Sequence, residues 1–151
     1  MIKKPYKIQG DKIFDNRGSL SFVNNFGFKG VKRFYLIQNH QKNFIRAWHA
    51  HKKEEKYFFC IEGSCQISCV EVNNFKNPNK NSKIYKWVLS YQKPEIVFIP
   101  KGYANGSMNF SIDTKILVFS SSTLQQSASD DYRYPFDYWN PWSIIKRWKE
   151  Y

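Results

Sequence analysis

The chain has 151 residues, 19% of them aromatic, and 24 lysines and arginines against 12 aspartates and glutamates, a formal charge of +12. That length suits one domain over 1–151 with a sizeable core, and no Pro-, Ser- or Gly-rich linker divides it. Apolar runs of about five to six residues are too short to span a bilayer, and the first residues lack the apolar segment of a signal peptide, so a cytoplasmic protein with no membrane partner is expected.

In chain order, Gly10-Asp11 and Asp15-Asn16-Arg17-Gly18 read as turns, with short strands at 12–14 and 19–24. Residues 31–38 are β-branched and aromatic, and they lead through a polar turn into a strand at 44–51. Residues 56–61 and 64–72 read as a hairpin turning at Gly63, and the polar tract 73–82 reads as an exposed loop. Strands are expected at 84–90, 96–99 and 115–120, and 121–131 is expected to be irregular or a brief turn. Helical spacing is visible at 142–148, with Pro141 suited to a first helical turn. Many short strands at close spacing and one terminal helix define an all-β barrel or sandwich. Cys60, Cys65 and Cys69, an odd number without metal-type pairing, read as buried reduced thiols.

Positive charge favours anionic partners. The lysines are scattered through a chain rich in Lys, Asn and Ile, and no nucleic-acid motif accompanies them, so most are read as solvated surface. A nucleotide diphosphate is the better-sized anion, and no nucleic-acid partner is expected.

His49 and His51 stand on alternate residues, and in an extended strand such residues point to one face. His-x-His, then Lys56, then Gly63 resembles the first signature of the cupin barrels, and Pro100-Lys101-Gly102-Tyr103-Ala104-Asn105 resembles the second. The resemblance implies a double-stranded β-helix, or jelly-roll, barrel with a short C-terminal helix. In metal-binding cupins the position of Lys56 is a glutamate and that of Asn105 a histidine. An ammonium where a divalent ion needs a carboxylate leaves two of the usual ligands, so a pocket without metal or other cofactor is expected. Glu55 is the remaining candidate ligand should the strand register slip by one residue.

Within the cupins, the first half resembles the dTDP-sugar 3,4-ketoisomerases through Asp15-x-Arg17-Gly18-Ser19-Leu20, Lys32-Arg33-Phe34-Tyr35 and Arg46-x-Trp48-His49-Ala50-His51-Lys52. The second half resembles the dTDP-4-dehydrorhamnose 3,5-epimerases through Ile99 to Gly106 and Trp139-Asn140-Pro141. Both families act on nucleotide-linked 4-keto-6-deoxyhexoses. A C4 ketone acidifies the C3 hydrogen, which a near-neutral base removes if the enolate oxygen meets a cation or donor.

The resemblance implies His49 as that base, His51 as a proton shuttle or as the group that positions His49, and Lys56 as the enolate stabiliser. It also implies Arg17 and Arg46 on phosphate or sugar oxygens, Asn105 in the substrate pocket, Tyr35 as an active-site phenol or a core residue, and a homodimer. The departures fall on β-strand 115–120, where the epimerase tyrosine acid is Val118 or Phe119, and on the carboxylate that orients the base, for which Asp137 is the substitute. The aromatic stretch 132–142 would stack on the nucleotide base or cover the barrel's end or a subunit interface. The expected activity is a 3- or 3,5-epimerase, with a 3,4-ketoisomerase as alternative. A non-catalytic sugar-nucleotide-binding cupin and a metal-dependent cupin are the rivals from other classes.

Overall fold

The computed structural model describes residues 3–143. The chain runs β1 (Tyr6–Gln9), the hairpin β2 (Asp11–Asp15) and β3 (Gly18–Phe22), β4 (Arg33–Gln38), β5 (Ile45–Ala50), β6 (Lys56–Glu62), β7 (Ser64–Glu71) and β8 (Ile84–Ser90). It continues through β9 (Glu95–Ile99), β10 (Tyr103–Asn109), β11 (Lys115–Ser120), the helix α1 (Leu124–Ala128) and the two-residue β12 (Tyr132–Arg133). Two antiparallel five-stranded sheets form, ordered β1-β9-β6-β11-β4 and β12-β5-β10-β7-β8, while β2 and β3 make a separate two-stranded sheet. This is the expected cupin-like β architecture.

Alternation along the strands builds the core between the two sheets. Phe58 and Cys60 of β6, Cys65 and Ile67 of β7, Val97 and Ile99 of β9, and Ile116 and Val118 of β11 all point inward. The three cysteines are buried free thiols, as expected. The β6–β7 turn needs its glycine: Gly63 has φ +69°, and a Cβ there would sit 2.6 Å from Thr114 Oγ1.

The second sheet is buried on its outer face as well, which is why β7 alternates imperfectly in sequence. Val70, Trp48, Ala104, Met108, Trp139 and Trp142 form a second cluster there. The segment after β12 is fastened by its polar tips: Tyr134 and Tyr138 hydroxyls donate to the carbonyls of Phe75 (2.9 Å) and Pro78 (2.6 Å), and Trp139 Nε1 donates to Asn79 (2.9 Å). This aromatic segment therefore covers the outside of one sheet and ties down the 73–82 loop, rather than closing the barrel's end.

The sequence reading lacks β1, β10, β12 and α1. β10 reads YANGSMN, a run of turn formers, yet every residue of it is buried between β5 and β7. Tertiary context overrides β-propensity there. Helix α1 lies inside 121–131 and is held by a Thr123–Gln126 capping box. The helix expected over 142–148 falls outside the described residues, apart from Trp142, which is buried, and Ser143, which is exposed. Among the described residues no helix is long and apolar enough to cross a membrane.

Candidate active site

A cavity of about 330 Å³ opens between strands of both sheets, and Tyr35, Arg46, His49, Lys56, Asn105 and Ser107 are among the side chains that line it. Arg46 and His49 are three residues apart, so strict alternation would place them on opposite faces. The β5–β10 register shifts between them, pairing Asn105 with His49 and Ser107 with Arg46. That bulge on β5 turns both side chains into the cavity.

His49 is partly buried at the cavity wall. Burial, then Lys56 and Arg133, pull its pKa from the ordinary 6.5 down to about 4, against the attraction of Asp131. The imidazole is therefore neutral at neutral pH. The carboxylate beside it is not Asp137, which is exposed, but Asp131, with Oδ1 4.0 Å from His49 Nδ1. It arrives there because β12 pairs with β5, Arg133 opposite His49.

His51 sits just past the end of β5 and is buried behind the cavity wall. Its Nδ1 lies 2.6 Å from the Asp130 carbonyl, which can only accept, so Nδ1 carries a proton. Its Nε2 lies 3.1 Å from Lys56 Nζ and 3.1 Å from Glu54 Oε2. Glu54, in the charged link before β6, is a site residue the sequence reading missed. Its side chain is fully enclosed, and its carboxylate accepts from Ser120 of β11 and, at 2.8 Å, from Ser127 of α1, with Arg33 at 3.4 Å. Period-two alternation was the signal that could have found it, since it stands two residues before Lys56. Burial works against its ionisation, but Lys56, Ser120, His51 and Ser127 together outweigh that and hold its pKa below the ordinary value. Burial lowers the pKa of Lys56, with Glu54 opposing.

Tyr35 enters the cavity from β4, directly across from Val118 of β11. Burial first, then Glu54, raises its pKa to about 12, so the phenol keeps its proton. Val118 faces the core, while Phe119 packs 5.2 Å from Phe26 on the other side of its strand. Arg46 Nε donates to Asn39 at 2.6 Å, and the Asn105 amide donates to the His49 carbonyl at 2.8 Å, which ties β10 to β5. Arg17 is not brought to the cavity: it stands on the β2–β3 turn, 85% exposed, paired with Asp15 at 2.6 Å.

The residues do not fit a divalent cation. Lys56 occupies the carboxylate position, Asn105 spends its amide on the backbone, and Glu55 lies against Lys3 at 3.8 Å, lining a different hollow. Among the described residues no three His, Cys, Asp or Glu side chains group as ligands.

Residues 5–140 match the family model FdtA, described as WxcM-like, C-terminal. The chain belongs to this family. A stretch of 59 residues is 41% identical to the TDP-4-oxo-6-deoxy-alpha-D-glucose-3,4-oxoisomerase of Aneurinibacillus thermoaerophilus, covering 37% of this chain and 42% of that relative. This chain therefore aligns with less than half of that curated protein. Among solved structures, the WlaRB TDP-quinovose 3,4-ketoisomerase of Campylobacter jejuni is 32% identical with TM-score 0.63, covering 91% of this chain and 98% of that one. The dTDP-4-dehydrorhamnose 3,5-epimerase of Elizabethkingia anophelis matches the fold with TM-score 0.74 at 18% identity, covering 96% and 84%. The family's structural neighbours are thus sugar-nucleotide isomerases and epimerases, and the named relatives with real sequence identity are ketoisomerases.

Proposed function

We propose that the protein is a metal-independent 3,4-ketoisomerase of a TDP-linked 4-keto-6-deoxyhexose. The observation that carries the reading is the position of the phenol: Tyr35 enters from β4, opposite Val118 on the strand where an epimerase would carry its acid. Relatives named as ketoisomerases support the same choice. The same relatives favour it over the epimerase towards which the sequence alone leans.

His49, neutral, removes the C3 proton, and an enediolate forms across C3 and C4. Lys56 donates to the C4 oxygen and takes the proton from the C3 hydroxyl, and the Tyr35 hydroxyl donates to the developing charge. His49 then returns its proton to C4, leaving a C3 ketone. Arg46, braced by Asn39, offers its remaining N–H groups to phosphate or sugar oxygens, and Asn105 holds the wall beside them. Arg17 serves the diphosphate only where its hairpin meets a cavity other than its own, which ties that role to the expected homodimer.

Incubation of TDP-4-keto-6-deoxyglucose with the protein in deuterated water, followed by proton NMR, tests the reading. The expected result is a 3-keto sugar that carries solvent label at C4 in proportion to exchange of the His49 proton with solvent before it is returned. Label at C3 without a 3-keto product makes the protein an epimerase, and no change in the sugar overturns both.

A further inference from the structure

Lys56, His51 and Glu54 form a closed triangle, with separations of 3.1 Å from Lys56 Nζ to His51 Nε2, 3.1 Å from His51 Nε2 to Glu54 Oε2, and 3.9 Å from Lys56 Nζ to Glu54 Oε2. Because the His51 Nδ1 proton is committed to the Asp130 carbonyl, the neutral ring presents a bare lone pair at Nε2. That lone pair accepts from an ammonium on Lys56. It would also face Glu54 Oε2, an acceptor, without a proton between them. Moving one proton from Lys56 to His51 Nε2 turns that contact into a charge-assisted hydrogen bond and leaves a neutral amine facing the cavity. The net charge of the three groups is zero in both arrangements.

We propose that Glu54 is a positioning residue that makes Lys56 and His51 a single one-proton carrier, in which Lys56 alone meets the substrate and His51 acts through it. The proposal takes its substrate from the ketoisomerase reading. When Lys56 gives its proton to the C4 oxygen, an N–H bond breaks and an O–H bond forms, and the triangle is left with the uncompensated charge of Glu54. That buried negative charge draws a proton back from the C3 hydroxyl onto Lys56, closing the cycle without solvent.

The surroundings of the triangle support its role. Arg33 of β4 stands 3.4 Å from the far carboxylate oxygen and is shared with the Ser122 carbonyl, to which it donates at 3.0 Å, so it offsets Glu54 only in part and does not enter the cavity. Tyr35 from β4, His49 from β5 and Asp131 before β12 are the other titratable groups whose fields reach the triangle. Ser120 and Ser127 fix the carboxylate from β11 and α1. Strands β4, β6 and β11, helix α1 and His51 just past β5 thus converge on a side chain that is not among those lining the cavity.

The test uses the full chain with Glu54→Gln, Glu54→Asp and the double variant Glu54→Gln/Lys56→Met. With lysines labelled in the side chain and the Lys56 resonance assigned by its loss in Lys56→Met, Glu54→Gln is expected to make the amine about tenfold easier to deprotonate. An unchanged Lys56 titration overturns the proposal. In thermal melts Glu54→Gln is expected to lose stability that the double variant regains, since removing both charges of a buried pair is milder than removing one. No regain overturns it too, and this comparison remains readable if the single variant folds poorly.

Neither measurement needs a sugar, so a protein inactive on TDP-4-keto-6-deoxyglucose would sink the ketoisomerase reading while these two still decide on the triangle. With turnover, Glu54→Gln should lower kcat about a hundredfold with KM little changed. It should also move the alkaline limb of kcat to lower pH, and Glu54→Asp should keep that limb. A wild-type limb in Glu54→Gln is the third result that would defeat the proposal.

Discussion

His49 enters the proposed reaction as a neutral imidazole. With its pKa drawn to about 4 by burial first and by Lys56 and Arg133 next, it is a weak base, and it suffices only because Lys56 and Tyr35 meet the enolate that forms. His49→Asn is expected to lower kcat by about 10²–10⁴ while TDP affinity, read by calorimetry, stays within about twofold; retained turnover would remove His49 as the base. The acid limb of kcat/KM should fall near pH 4, and a limb at 6.5 would show that burial does not control this ring. Stability has the matching sign. Between 6.5 and about 4 the unfolded chain binds the His49 proton and the folded chain does not, so stability is lost as pH falls through that window. Urea titrations at several pH values check it. His49, Lys56, Tyr35, Arg46 and Asn105 were singled out by motif spacing and family resemblance, and all five line the cavity, Arg46 beside His49 only because β5 bulges between them. Asp131 was not singled out, because only the return of β12 onto β5 brings it near His49, and no local pattern records that return.

At the scale of elements, strands rich in apolar and β-branched residues were read closely from sequence: residues 84–90 and 115–120 coincide with β8 and β11. β10 was missed because its small polar residues serve two neighbours at once, and local propensity says nothing of a strand held from both sides. The segment after β12 shows the same limit, since its aromatic content is obvious in sequence but its target is not. Trp139 is 2% exposed, packs edge-on against Trp48 at 5.5 Å and holds the loop carbonyl of Asn79. Trp139→Ala should therefore cost about 3–5 kcal/mol of folding stability, measured as a shift in the urea midpoint. A change below about 1 kcal/mol would mean that the outer cluster contributes little beyond covering the sheet.

For the whole molecule, the apolar surface left uncovered by one chain argues for a second copy. The β2–β3 hairpin pairs with neither large sheet, and a lone two-stranded hairpin is marginal in water. It nonetheless exposes Phe14 at 75% and Leu20 at 60%. β4, an edge strand with unpaired backbone groups, presents Phe34 at 69% and Leu36 at 50% on its outer face. Large apolar side chains left exposed in this way suit an interface, and a homodimer that buries them needs on the order of 1,200–2,000 Å² in total to be stable. Light scattering coupled to size exclusion is expected to give twice the 18.1 kDa chain mass at micromolar concentration. Phe14→Ser with Leu20→Ser should halve that mass while the circular dichroism of the barrel is retained. A wild-type monomer would refute the dimer, and a double variant that stays dimeric would exclude the hairpin from the interface. Because Arg17 stands on the same hairpin, between Phe14 and Leu20, the monomeric variant should also bind TDP more weakly than the wild type if this arginine reaches the diphosphate across the dimer; equal affinity would confine nucleotide binding to Arg46 and its neighbours in one chain.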